Sequence, residues 1–212
     1  VGFSLNAQET VEKSIGEFST VKVYDLINLK MIKSTENKVV ISGKNKRDVE
    51  VVNKNGKLKI RMSLEESYDG EDTVVVLYYT TVDVIDANEG AKVEVKDVIK
   101  QYEIDLKTQE GAEITAEVNS TYANFRAVTG GILNLTGNSK NQDITIFTGG
   151  VYNGKAFITE RSEVSINVAG EAYIYATERA KVKVKAGGDV YIYGDPKEID
   201  ETSVLGGTVK RM

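Results

Sequence analysis

The chain has 212 residues, with 27 Lys and Arg against 32 Asp and Glu, a net charge of -5, one Pro, and no His, Cys or Trp. Without imidazole or thiol it holds no His-based proton relay, no Cys nucleophile, no disulfide and no nitrogen- or sulfur-ligated zinc, which leaves oxygen chemistry alone. The acidic balance argues against nucleic acid or an anionic membrane as the main partner, while 41% hydrophobic and 28% charged residues describe a folded chain.

In chain order, Val1 to Gln8 read as the tail of a secretory leader with a small residue, Ala7, at the cleavage site, or else as a frayed N-terminus. Residues 1–16 are accordingly set apart as leader remnant or disordered segment. Ala7 to Phe18 lacks a sustained apolar stripe and predicts one helical turn at most. From residue 17 to 212 a single β domain is expected, because period-two alternation rich in Val, Ile, Thr and Tyr recurs throughout. Val49 to Ile60 carries Asn55-Gly56 between two alternating runs, the signature of a β-hairpin. That hairpin marks residues 17–88 as an N-terminal capping portion, which would cover one end of the structure behind it. Glu65, Glu66, Asp69, Glu71 and Asp72 crowd around Gly70, yet the spacing of a dedicated calcium loop is absent, so they read as a solvated acidic loop and no metal is assigned. The longest apolar run, Val74 to Tyr79, falls far below the ~20 residues a membrane-spanning helix requires.

Residues 89–212 are periodic. Small-residue breaks begin at Gly90, Gly111, Gly130, Gly149, Ala169, Gly187 and Gly206, in steps of 21, 19, 19, 20, 18 and 19. Gly170 stands beside Ala169 and is counted with the corner glycines. Thr159 to Tyr175 matches Thr177 to Tyr193 at a shift of 18, and Gly137 to Gly150 matches Gly194 to Gly207 at a shift of 57, three times 19. A repeat of this length with strands inside it predicts a parallel β-helix, a solenoid with coils of about 19 residues and a contour near 60 Å. Glycine suits its corners because sharp bends need positive φ.

Inside this frame, Tyr173, Tyr175, Tyr191 and Tyr193 alternate with Ile174 and Ile192. If the isoleucines point inward, the four tyrosines form an outward two-by-two ladder, with Phe157 extending one column. Such a surface grips sugar rings or a protein; the plainer reading is that cross-strand aromatic pairs stabilise the sheet. Lys181, Lys183 and Lys185 form an outward cationic row opposite Glu163, read as charges that keep strands soluble. Two sequons, at Asn119 and Asn134, matter only in a glycosylating pathway. Asp143, Asp189, Asp195 and Asp200 are candidates for convergent carboxylates, but Asp143 and Asp200 occupy equivalent repeat positions, which points to turn hydrogen bonding instead of catalysis.

The stretches Gly187 to Pro196 and Gly206 to Lys210 resemble the closing pattern of the bacterial family called putative auto-transporter adhesin, head GIN domain, common in Bacteroidetes. Phe18 to Val23, Lys38 to Gly43, Gly56 to Ile60 and Val74 to Val76 are similar to its N-terminal half, so that the likeness runs from Phe18 to Lys210. The resemblance implies a β-helical fold and an exported protein, periplasmic or on the cell surface, with no catalytic residues to carry over. The expectation is a non-enzymatic binding or adhesion module without cofactor, its partner an envelope glycan or a surface protein. The alternatives are a self-assembling structural β-helix and a polysaccharide-cleaving enzyme.

Overall fold

The structure, a computed structural model, describes residues 10–212. The leader reading of residues 1–8 lies outside the described residues. Val11–Ser14 form strand β1, an edge strand paired antiparallel to β4, where the sequence predicted a helical turn at most within a segment set apart from the domain. Val11 and Ile15 pack against the core, an anchor too short to register as a pattern.

The remaining strands in chain order are β2 (Thr20–Val23), β3 (Asn28–Lys33), β4 (Lys38–Gly43), β5 (Val49–Lys54), β6 (Lys57–Met62), β7 (Thr73–Tyr79), β8 (Val84–Ala87), β9 (Lys92–Val95), β10 (Ile99–Gln109), β11 (Glu113–Val128), β12 (Ile132–Phe147), β13 (Val151–Ile166), β14 (Glu171–Ala186), β15 (Asp189–Tyr193), β16 (Glu198–Leu205) and β17 (Thr208–Arg211). A single 3-10 turn, Leu64–Glu66, interrupts them, and no helix among the described residues is long and apolar enough to cross a membrane. The chain is a parallel-strand solenoid of about seven turns with ~19-residue spacing.

Each coil has two faces. On the first, β3, β9 and the opening halves of β11 to β14 pair in parallel, followed by β15 and β17. On the second, β2, β8, β10 and the closing halves of β11 to β14 do the same, followed by β16. Both faces present alternate side chains inward. Leu58, Val21, Ile85, Leu106, Phe125, Ile144, Val164 and Val182 follow one another in register through the second face, all of them buried. Val75, Leu29, Val93, Ile114, Leu133, Tyr152, Ala172 and Val190 do so through the first. Each such aliphatic side chain contributes about 1.5–3 kcal/mol by leaving water.

Antiparallel strands extend the N-terminal end. The hairpin β5–β6 adds to β2 on the second face, turning at Asn55 (φ 52°) and Gly56 (φ 72°) as its Asn-Gly pair predicts. On the first face β7, β4 and β1 continue outward from β3.

The faces meet at a tight corner that repeats once per coil. The amide of Leu26 donates to Glu89, Gly90 to Glu110, Gly111 to Thr129, Gly130 to Thr148, Gly149 to Val168, Ala169 to Ala186 and Gly187 to Leu205. This hydrogen-bonded column puts Gly111, Gly130, Gly149, Gly187 and Gly206 at φ between 68° and 74°. Gly170 is the exception to the expected alignment. Ala169, at φ 49°, takes the corner place, whereas Gly170 joins a second column with Gly150, Gly188 and Gly207. In that column the chain passes so close to the previous coil that a Cβ would strike a carbonyl oxygen, Gly150 O at 2.6 Å in the case of Gly170. Gly170 is therefore glycine for want of room as well as for its φ of 125°.

Candidate functional site

Tyr173 and Tyr175 on β14 lie in register with Tyr191 and Tyr193 on β15, and Ile174 and Ile192 between them are buried, so all four rings face outward. The rings of Tyr173 and Tyr191 stack 4.7 Å apart and 6° from parallel. Lys210 follows Tyr191 in register and holds its Nζ 5.3 Å from that ring's centroid. Lys155 Nζ lies 4.8 Å from the centroid of Tyr193. Tyr191 is thus sandwiched between a tyrosine and a lysine, and the ladder displays ring edges and hydroxyls more than open ring faces. Tyr173 Oη donates to Glu171 Oε2 at 2.8 Å. That hydrogen bond, with desolvation and the carboxylate's negative charge behind it, holds the proton on the phenol and pushes its pKa up to about 12.

Phe157 does not extend the ladder. It is fully buried, with its ring 5.5 Å from that of Phe125 in an edge-on contact, while Phe125 stacks on Tyr152 at 5.4 Å. The cause is a bulge in β13. From Asn134↔Asn153 the register jumps to Thr136↔Ala156, and on the other side from Asn153↔Tyr173 to Ile158↔Tyr175. The slip places Ile158, 49% exposed, beside Tyr175 and turns Phe157 inward, since a shift of one residue reverses every side chain. Lys155 and Ala156 both project outward at the bulge.

The interior beneath the bulge is polar. Tyr152 Oη donates to Gln142 Oε1 at 2.6 Å, Gln142 Nε2 donates to Ser162 Oγ at 2.7 Å, and Thr159 Oγ1 donates to the Tyr175 carbonyl at 2.7 Å, with all four side chains buried. Burial raises the Tyr152 phenol well above its ordinary value. Periodicity gave no sign of this cluster; the signal available was the departure of two steps, 20 and 18, from 19.

Alongside the ladder, on the same face, runs a groove of about 560 Å³. Its floor and walls include Thr115, Asn134, Thr136, Asn153 and Lys155, and Tyr173 closes one end. Asn153 Nδ2 donates to Asn134 Oδ1 at 2.7 Å, and Asn134 Nδ2 to Glu113 Oε1 at 2.5 Å, so the amides are oriented from coil to coil.

The other candidates disperse. Asp143 and Asp200 belong to one outward column of the second face, separated by Glu163 and Lys181, while Asp189 opens β15 on the first face and Asp195 sits in the turn after it. Lys181 pairs with Glu163 at 2.7 Å and Lys185 donates to Asn167 at 2.6 Å, as solvent-facing strand charges do. In the acidic loop Asp69 accepts from Asn45 at 2.7 Å, and among the described residues no three carboxylates are grouped so as to hold a metal ion.

No curated protein matches the chain. Among solved structures, a putative adhesin from Bacteroides fragilis shares 16% identity, covers 96% of each chain and superposes with a TM-score of 0.88. A putative adhesin from Parabacteroides distasonis shares 15% identity over 96% of each chain with a TM-score of 0.76. A putative lipid binding protein from the same species shares 12% identity, covers 97% of this chain and 98% of its own, and scores 0.71. These likenesses concern the fold; the family carries an adhesin label, and these neighbours carry adhesin or lipid-binding labels, not enzyme labels. The family model described as putative auto-transporter adhesin, head GIN domain matches residues 17–196, and the chain belongs to that family.

Proposed function

We propose that the protein is an exported, non-enzymatic binding module of the bacterial envelope, periplasmic or on the cell surface, and that the tyrosine ladder is its contact surface. The observation that carries this reading is the stacked, outward-facing pair Tyr173 and Tyr191 with Tyr175 and Tyr193 beside it, rimmed by Lys155 and Lys210. Sheet stability alone is served by one aromatic pair. Four outward phenols, two of them stacked, with Tyr173 Oη fixed on Glu171 and cations at two rings, also offer polar groups on partly ordered side chains, which lowers the ordering cost of association. The family's adhesin description supports the same reading.

The test replaces Tyr173, Tyr175, Tyr191 and Tyr193 together with Ser and measures binding to an envelope glycan panel and to whole bacterial cells. Binding should fall to background while the thermal unfolding transition persists. Undiminished binding by a folded variant removes the ladder from the contact surface. The corresponding Phe variant keeps the stack and reports the share carried by the hydroxyls.

A further inference from the structure

The bulge in β13 breaks the regular stacking on the face that carries the ladder. Bulges re-aim side chains and cluster beside functional sites. This one sends Lys155 outward between the ladder and the groove that runs from Tyr173 toward Lys96. The groove's other lysine, Lys96, is paired with Glu94, as Lys181 is with Glu163 and Lys197 with Glu178 elsewhere on the surface. Lys155 rests against the ring of Tyr193 and has no carboxylate partner among the described residues. The groove's carboxylates are Glu94, held by Lys96, and Glu117, which lies on β11, two coils away from Lys155.

Resting on the binding reading above, we propose that this groove takes an acidic glycan, with Lys155 Nζ receiving the carboxylate of a uronic-acid-type sugar and the amides of Asn134 and Asn153 receiving ring hydroxyls. Its volume of about 560 Å³ suits a short oligosaccharide. The inter-amide hydrogen bonds use one N–H of each Asn, which leaves the second N–H of both and the Oδ1 of Asn153 for a ligand. Coils repeat every ~4.8 Å, close to the advance of one sugar unit in an extended glycan, so successive rings meet successive rungs. Amide donors and one unpaired cation set among apolar lining at Val95, Leu135 and Ala156 suit a sugar acid, which presents hydroxyls, a carboxylate and apolar ring faces together. The protein's overall negative charge makes the local cation the discriminating feature.

The experiment titrates the full chain by calorimetry with oligogalacturonate, with cello-oligosaccharide of equal length and with poly-glutamate. Oligogalacturonate should bind, less tightly at high salt, and the other two should bind far more weakly. Lys155→Gln should weaken oligogalacturonate binding about tenfold, the loss of one charge-assisted hydrogen bond, while Lys155→Arg retains it. Equal binding of the neutral oligosaccharide or of poly-glutamate, no binding of oligogalacturonate, or full affinity in Lys155→Gln overturns the proposal. If Lys155→Gln binds normally while the four-Ser ladder variant binds nothing, the acidic-glycan assignment fails and the ladder reading stands; if the ladder variant binds cells as well as the parent, the ladder reading fails.

Discussion

Two neighbouring glycines show how differently one residue type serves this fold. Gly149 sits at φ 74° with no heavy atom within 4 Å of where a Cβ would stand, so its requirement is conformational only. Gly150 has no unusual φ, but a Cβ there would lie 2.5 Å from the Ala127 carbonyl oxygen, a backbone atom fixed by the coil beneath. Gly149→Ala should therefore cost about 1 kcal/mol, the penalty of placing an L-residue in the left-handed region, whereas Gly150→Ala should cost roughly 2–3 kcal/mol by forcing two coils apart. Urea unfolding of both variants decides it, and equal costs would mean that the inner column is looser than the geometry shows. The spacing of the glycines was legible in the sequence, but the division of labour between the columns was not, because φ and clearance both select Gly. The corner position of Leu26 was hidden for the opposite reason, and Ala169 was read as the start of a break whose corner was given to Gly170: the hydrogen-bonded corner column holds these non-glycine residues at φ 61° and 49°.

At the scale of the strand, β13 separates what alternation reveals from what it conceals. Period two placed Tyr173, Tyr175, Tyr191 and Tyr193 outward correctly, because β14 and β15 stack without slippage. It failed for Phe157, because Gly154 and Lys155 together stand opposite Leu135 and the one extra residue reverses sides. Gly154 is itself part of the device: the ring of Tyr152 crosses the space its side chain would fill. That placement brings Tyr152 Oη to Gln142, and Gln142 to Ser162, inside the solenoid. Tyr152→Phe keeps the stacking on Phe125 but strips a buried Gln142 oxygen of its donor. The variant should lose about 1–3 kcal/mol, read from the midpoint of denaturant unfolding with an unchanged slope. A neutral substitution would show that the network is dispensable and that aromatic packing alone fixes the bulge. Family likeness, carried by small-residue and strand patterns, was legible over nearly the whole chain, since those patterns are what the stack imposes on any sequence that adopts it.

Across the whole molecule, stability is a matter of neighbours, since each coil buries its inward side chains against the one before and the one after. β12 is paired along nearly its full length on both sides, to β11 and to β13. β16 and β17 are paired on one side each, to β14 and β15, and Val204 and Leu205 at the end of β16 are 62% and 72% exposed. The opposite end is different, for the coil of β2 and β3 is overlaid by β5 and β6 on one face and by β1, β4 and β7 on the other, with Val39, Ile41, Leu58 and Leu77 fully buried. Local opening costs little where few apolar contacts must be broken. Amide exchange should therefore be slowest in β11 to β13, intermediate in β2, β3 and their antiparallel cover, and fastest in β16 and β17. Hydrogen-exchange mass spectrometry on peptides from each region measures this order. The lopsidedness between the two ends is the informative part, because a cap that merely follows the stack would exchange as fast as β16, whereas one that seals it would slow exchange in β2 and β3 by holding both faces closed. Uniform exchange along the chain would mean that the coils open together, and that coupling between them exceeds the difference in their burial.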